Sequence, residues 1–189
     1  MKKPLGEALE QFVPWNEQEE RDRALMLRIW NSGRDCLTRE SEAAHFSASS
    51  WIVNRERNRV LMAYHNIYQA WAWTGGHADG EEDLLQVALR EALEETGIHA
   101  RPISEDIFSL EILTVDGHEK RGRYVPSHLH LNVTYLLEAD EQELIRPKAD
   151  ENTAVRWFGL EEAVRDCGEI WMGKRVYRKL NEKLLRLQG

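Results

Sequence analysis

The apolar positions in the first part of the chain recur at helical spacing. Those that share one face of a helix over residues 17–31 are Leu25, Met26, Ile29 and Trp30. Asn16 directly precedes this segment and is a predicted N-cap, because a short polar side chain there accepts a hydrogen bond from the first turn. A second, shorter helix is predicted over residues 5–12. Together the two segments predict an N-terminal helical extension over residues 1–43.

From residue 44 onward the pattern is that of short strands mixed with a few helices. The segments predicted as strands are 46–54, 59–65, 68–76, 107–115, 128–139 and 153–160, and the predicted helices are 83–96, 160–166 and 173–187. A hairpin joins the first two strands, and residues 116–127 are predicted as a long loop. Because strands and helices do not alternate regularly, the pattern favours an α+β fold or an α/β/α sandwich with a mixed sheet over residues 44–189.

Charge and cysteine content narrow the partners and the compartment. The chain has 33 acidic and 25 basic residues among 189, a net charge of −8, which argues against a sequence-blind nucleic-acid binder. Cys36 and Cys167 are far apart and match no metal-binding or redox spacing, so free thiols in a reducing compartment are predicted. Neither a signal peptide nor an apolar run of about 18 residues is present, so we expect a cytoplasmic protein that binds no membrane.

Three glutamates share one face of the predicted helix over residues 83–96. Glu91, Glu94 and Glu95 are three and four positions apart, so like charges converge on a small volume. Carboxylate oxygens in such an arrangement suit Mg²⁺ or Mn²⁺. Arg90 adjoins them and can orient a carboxylate through a bidentate contact. A solvated acidic helix face is the alternative interpretation.

The spacing around these glutamates is highly specific. From Gly76, five residues lead to Glu82, seven more lead to Arg90 and Glu91, and Glu94, Glu95, Gly97 and Ile98 complete the pattern. This resembles the Nudix box, G-x5-E-x7-R-E-U-x-E-E-x-G-U, at every fixed position, with the small Ala92 at the first aliphatic place. The resemblance implies an α/β/α sandwich with a mixed β-sheet. It also implies a pyrophosphohydrolase in which water attacks phosphorus in a nucleoside diphosphate linked to another moiety.

The same resemblance implies roles for individual residues. Its metal ligands, for Mg²⁺ or Mn²⁺, are Glu91, Glu94, Glu95 and the carbonyl of Gly75. Glu82 supports the loop or a water near the metal, and Arg90 orients the glutamates. The general base varies in this family, and here Glu151, six residues before Trp157, and Glu94 are the two choices. The predicted catalytic residues are therefore Glu94, Glu95, Glu151 and Arg90.

Histidines and arginines outside the box are candidate substrate contacts. Strand alternation places His128 and His130 on one face, where they can meet phosphate, an additional metal or a leaving group, and His77 can join them. Arg121 and Arg123 lie in the predicted loop before that strand and can hold a phosphate. A half-exposed polar strand face and a solvated basic loop are the alternatives.

Two other functions use the same fold. A nucleotide-sensing module would bind without cleaving, although such domains usually lose box glutamates. Isopentenyl-diphosphate isomerases would place a nucleophilic cysteine near Gly75, and none lies there. We therefore expect a hydrolase whose partner is a small-molecule nucleoside diphosphate derivative, with a homodimer as a possible assembly. The sequence does not identify which derivative is cleaved.

Overall fold

The computed structural model describes residues 3–67, 69–120 and 122–188. Its α-helices are α1 (Leu5–Gln11), α2 (Glu17–Trp30), α3 (Leu84–Thr96), α4 (Leu160–Asp166) and α5 (Arg178–Arg186), and a π-helical turn over Met172–Tyr177 precedes α5. Asn16 caps α2 as predicted, because its side-chain oxygen accepts a hydrogen bond of 3.0 Å from the Glu19 amide. Gly97 ends α3 in the left-handed conformation, with φ of 74°.

The strands form one mixed sheet and a separate hairpin. They are β1 (Ala44–Val53), β2 (Arg59–His65), β3 (Ala70–Ala72), β4 (Thr74–His77), β5 (Arg101–Pro102), β6 (Ser109–Val115), β7 (His118–Lys120), β8 (Arg123–Val125), β9 (His128–Glu138) and β10 (Asn152–Gly159). The main sheet has the order β10-β2-β1-β9-β5, while β3 pairs with β2, β4 with β1 and β6 with β9. β1 and β9 are parallel, and the other pairs of this sheet are antiparallel.

Helices cover both faces of the sheet, so the predicted sandwich with a mixed sheet is confirmed. Phe46, Ala48 and Ile52 of β1 pack with side chains of α1, α2 and α3 in one core. Trp51 and Val53 of the same strand pack with α4, the π-helical turn and α5 in a second core. Alternate residues of one central strand therefore supply both cores, which explains why β1 reads as an almost continuous buried run.

The N-terminal helices are packed into the first of these cores. Leu9 of α1 and Met26 of α2 are fully buried there, and Leu5 is 4% exposed. In the part of the chain described by the structure, no helix is both long and apolar enough to span a bilayer. Cys36 and Cys167 are buried free thiols.

Two predicted segments differ from the structure. Residues 68–76 were expected to form one strand, but β3 pairs with β2 whereas β4 pairs with β1. Trp73 lies at the change of partner, and its amide donates to the Tyr177 hydroxyl at 3.4 Å instead of to a strand. The predicted loop 116–127 contains the hairpin β7–β8, whose turn includes Gly122 at φ 74°. The sequence pattern did not indicate these two strands because the segment is polar. Among the described residues, neither strand contributes to an apolar core.

Candidate metal centre and active site

Glu95, in the last turn of α3, is the most deeply buried of the three clustered carboxylates. Only 5% of its surface is exposed. Its Oε1 accepts a hydrogen bond of 2.8 Å from the Gly75 amide, and its Oε2 accepts one of 3.0 Å from the Asn152 side chain. Burial raises the pKa of Glu95 to about 7 despite these donors. The carboxylate is thus held in one orientation at the junction of α3, β4 and β10.

Glu91 lies one turn earlier and contacts both its neighbour and β4. Arg90 Nη2 is 3.2 Å from Glu91 Oε1. Burial raises the pKa of Glu91, although the Arg90 charge acts in the opposite direction. Gly76 of β4 approaches so closely that a Cβ atom there would lie 2.5 Å from the Glu91 carboxyl carbon. The absence of a side chain at position 76 therefore creates the space in which this carboxylate lies.

Glu94 and Glu151 are linked by a lysine that the sequence analysis did not identify. Lys148 Nζ is 3.4 Å from Glu94 Oε2 and 3.1 Å from Glu151 Oε1. Burial alone would lower the pKa of Lys148, but the two carboxylates raise it overall. The Lys148 amide also donates to the Glu95 carbonyl at 3.3 Å. The loop that carries Glu151 is consequently docked on the end of α3, and Glu151 belongs to the glutamate cluster.

The arrangement fits a hard divalent cation. Its donors are carboxylate oxygens, which Mg²⁺ and Mn²⁺ prefer, and the Gly76 cradle leaves room for one of them. Burial raises the pKa values of Glu91 and Glu95, and a cation beside them would favour their charged forms. Glu91, Glu94 and Glu95 are the residues that would hold the ion.

A second cluster consists of four histidines. The structure brings together the three that were predicted as substrate contacts, His77, His128 and His130, and adds His45 from β1. Ring centroids lie 4.9 Å apart for His45 and His128 and 4.8 Å apart for His77 and His130. His45 was missed because its proximity depends on the parallel register of β1 and β9, which pairs it with His130. Nothing in the local pattern around His45 indicates that register.

Residues 44–180 match the family model described as the NUDIX domain. The chain belongs to the Nudix family. This confirms the resemblance drawn from the box motif, and the fold agrees. A C. elegans Ap4A hydrolase in a binary complex superposes with a TM-score of 0.54 at 22% identity, over 76% of this chain and 96% of that one.

Two curated relatives match part of this chain in sequence. The mouse bis(5'-nucleosyl)-tetraphosphatase [asymmetrical] is 34% identical over 105 residues, which is 55% of this chain and 65% of the relative. The Xenopus laevis m7GpppN-mRNA hydrolase NUDT17 is 32% identical over 123 residues, 62% of this chain and 40% of the relative. The match thus covers less than two thirds of the length of either relative.

Two further predicted site residues are described by the structure: Glu82 lies in the loop before α3, and Arg123 lies in β8. Glu82 precedes the start of α3 at Leu84, and the ten residues from there to Glu94 correspond to about 15 Å of axial rise. Glu82 borders a cavity of about 830 Å³ beside α1 that contains none of Glu91, Glu94 and Glu95. Arg123 is exposed in β8, and Arg121 is outside the described residues.

Proposed function

We propose that this Nudix protein is a divalent-metal-dependent hydrolase that cleaves a pyrophosphate bond in a nucleoside diphosphate derivative, with water attacking phosphorus. The observation that carries the proposal is that Glu95 is bound by the Gly75 amide and that Glu94 and Glu151 share Lys148, with Glu91 one turn earlier on the same helix against Gly76. The relatives are named for bis(5'-nucleosyl) tetraphosphate and m7GpppN-mRNA, which makes these two compounds the first substrates to test.

In this proposal Mg²⁺ or Mn²⁺ is held by Glu91, Glu94 and Glu95 together with the Gly75 carbonyl. The bound ion would polarise phosphoryl oxygens, activate water and neutralise charge on the leaving phosphate. Arg90 orients Glu91 through their 3.2 Å contact. The Gly75 amide and the Asn152 side chain fix both oxygens of Glu95.

We assign removal of the proton from the attacking water to Glu151, with Glu94 as the alternative. Glu151 is next to the cluster, its side chain is 46% exposed, and it is not one of the three ligands. Lys148 holds it within reach of the site. The two choices separate experimentally, because loss of a base lowers kcat while loss of a ligand also weakens metal binding. Glu151→Gln should therefore leave the Kd for Mn²⁺ unchanged, and Glu94→Gln should raise it.

Other predicted features enter this proposal with smaller roles. Glu82 supports the loop before α3, where its carbonyl accepts from the Leu84 amide at 3.1 Å. Arg123 remains a predicted phosphate contact. A homodimer and a cytoplasmic location also remain predictions.

The test is hydrolysis of a panel of nucleoside diphosphate derivatives, including the two named above, with and without Mg²⁺ or Mn²⁺ in ¹⁸O-labelled water. Mass spectrometry then identifies the phosphorus that gains ¹⁸O. We expect cleavage that requires the ion and falls at least about 100-fold in Glu95→Gln, a loss comparable with removal of a key electrostatic group. Glu161→Gln changes an exposed acid on α4 and is the matched control. Nucleotide binding without turnover in the wild type would instead identify a sensing module.

A further inference from the structure

The four histidines come from three neighbouring strands and lie close enough to share one ion. His45 is on β1, His77 on β4, and His128 and His130 are on β9. One ring nitrogen from each lies within 4.8 Å of those of the others. His45 and His128 are buried, at 4% and 9% exposure, so the cluster is built into the sheet.

This cluster is on the opposite face of β4 from the glutamates. His77 and Gly76 pair with Ser47 and Ala48 of β1, and successive residues of a strand point to opposite faces. The His77 ring lies 5.1 Å from the His45 ring, whereas Gly76 faces the Glu91 carboxyl group. Glu91 and the histidine cluster therefore lie on opposite faces of β4, although Arg39 interacts electrostatically with both.

The backbone around the cluster selects the tautomer that binds metals. His45 Nδ1 is 3.0 Å from the Ser41 carbonyl oxygen, and His128 Nδ1 is 2.9 Å from that of Pro126. A carbonyl only accepts, so each Nδ1 carries the hydrogen and each Nε2 presents a lone pair to the cluster. His45 Nε2 is buried and, among the described residues, accepts no hydrogen bond. Such an atom can accept a hydrogen bond or coordinate a metal ion.

The distances and charges also suit a cation with nitrogen ligands. His128 Nε2 and His130 Nε2 are 3.2 Å apart. Ligand nitrogens of a tetrahedral zinc site are about 3.3 Å apart when the metal–nitrogen bonds are about 2.0–2.1 Å. Burial lowers the pKa of His130 to about 3 and also lowers that of His45, which favours the neutral form that coordinates metals over the charged form. The nearby charge of Arg39 is offset by its paired hydrogen bonds to Asp79.

We propose that His45, His77, His128 and His130 bind one borderline divalent transition-metal ion, with Zn²⁺ as the preferred ion. Imidazole ligands favour Zn²⁺, Cu²⁺, Ni²⁺ and Fe²⁺, whereas the carboxylate cluster favours Mg²⁺ and Mn²⁺, so the two sites select different ions. Four protein ligands fill a tetrahedral shell and leave no open position. This coordination number is that of a structural zinc site. The bound ion would cross-link β4, which contains Gly75 and Gly76, to β1 and β9.

The test measures metal binding and not hydrolysis, so it is independent of the proposed function. Chelator-treated protein is titrated with Zn²⁺ by calorimetry in excess Mg²⁺, and its thermal unfolding is followed with and without Zn²⁺. We expect one Zn²⁺ per chain and a higher Tm, because a ligand that binds the folded state stabilises it. Co²⁺ as a probe should give the intense visible bands of a four-coordinate ion.

Variants assign the binding to these residues. His128→Gln and His130→Gln should each raise the Kd for Zn²⁺ roughly tenfold or more, since even groups that only orient a ligand contribute roughly 10–100-fold. His99→Gln, an exposed histidine paired with Glu143, and Glu95→Gln should leave it unchanged. Circular dichroism checks that each variant is folded. Unchanged Zn²⁺ affinity in both histidine variants, or affinity lost in Glu95→Gln, would overturn the proposal. Binding of inorganic phosphate in place of Zn²⁺ would also overturn it.

Discussion

At the scale of single residues, Gly76 packs so closely against Glu91 that position 76 leaves no room for a side chain. A methyl group at position 76 would lie 2.5 Å from the Glu91 carboxyl carbon, so the carboxylate would have to leave its present position. We expect Gly76→Ala to weaken Mn²⁺ binding and hydrolysis together by roughly 10–100-fold, the range seen when the orientation of a metal ligand is lost. Calorimetry with Mn²⁺ and initial rates on a cleaved substrate measure the two effects.

Gly159→Ala is the matched control for this change. A Cβ atom at position 159 would meet only ordinary contacts at 3.9 Å from Glu162, and its φ of −63° suits alanine. Rates and affinity should stay within about twofold of the wild type, since the substitution is far from special backbone geometry. If Gly76→Ala behaves like this control, the cradle around Glu91 does not determine metal binding.

Some residues of the two clusters could be identified from the sequence, and others could not. Glu91 and Glu95 were identified because helical periodicity is local and their spacing matches a motif. His45 and Lys148 were not, because their neighbours are distant in sequence. The position of His45 depends on the β1–β9 register, and that of Lys148 on the path of the loop before β10. Neither the strand register nor the path of this loop can be predicted from the sequence pattern alone.

At the scale of elements, helix α2 is attached to the sheet and to α5 through a buried charge network. Glu19 is fully buried and accepts hydrogen bonds from Ser109 of β6 and from Lys183 of α5, each at 2.7 Å. Lys179 Nζ lies 3.2 Å from Glu19 and 2.9 Å from Glu111. Burial alone would raise the pKa of Glu19, but the charges of Lys179 and Lys183 lower it overall. The helix is therefore part of the polar interior.

The lowered pKa of Glu19 predicts a pH-dependent contribution to stability. A carboxyl group with a depressed folded-state pKa stabilises the fold above its unfolded value, and this contribution is lost as pH falls through the folded value. Glu19→Gln should lower the free energy of unfolding by about 3–5 kcal/mol at pH 7, because two lysines lose their buried partner. The deficit should shrink as pH falls below 4.5, the ordinary pKa of a glutamate side chain.

Urea unfolding of both proteins at several pH values measures this effect. Glu17→Gln removes an exposed partner of Arg21 on the same helix, and it should change stability by less than about 1 kcal/mol. A deficit that stays constant from pH 7 to well below pH 4.5 would show that Glu19 contributes through shape and hydrogen bonding alone.

Elements were predicted best where one helix face or one strand face meets an apolar core. Helices α2 and α3 have such faces and caps that sequence reveals, and both were placed within a residue or two. The break between β3 and β4 at Trp73 was not predicted. The chain changes its strand partner there, while the alternation of residue types along the sequence continues. The β7–β8 hairpin was missed because it has little apolar periodicity.

At the scale of the whole molecule, the structure makes the N-terminal helices part of one folding unit with the Nudix domain. The family match begins at residue 44, and sequence alone favours an extension before it. Leu9 and Met26 nevertheless lie in the same core as β1, α3 and β9. Burial of a large apolar side chain contributes roughly 1.5–3 kcal/mol, and a whole domain is stable by only about 5–15 kcal/mol. The free energy lost on removing Leu9, Met26 and Glu19 is therefore comparable with the total free energy of unfolding.

We consequently expect a chain of residues 44–189 to lose cooperative unfolding, as measured by circular dichroism during a urea titration. Leu9→Ala in the full chain gives a graded version of the same test, with a loss of about 2–5 kcal/mol for a cavity in a packed core. Val13→Ala is its control, because Val13 is 82% exposed and should change stability by no more than about 0.5 kcal/mol. If residues 44–189 instead unfold cooperatively at the same urea midpoint as the full chain, the first two helices are an appendage, and the contacts of Glu19 contribute little to the stability of the sheet.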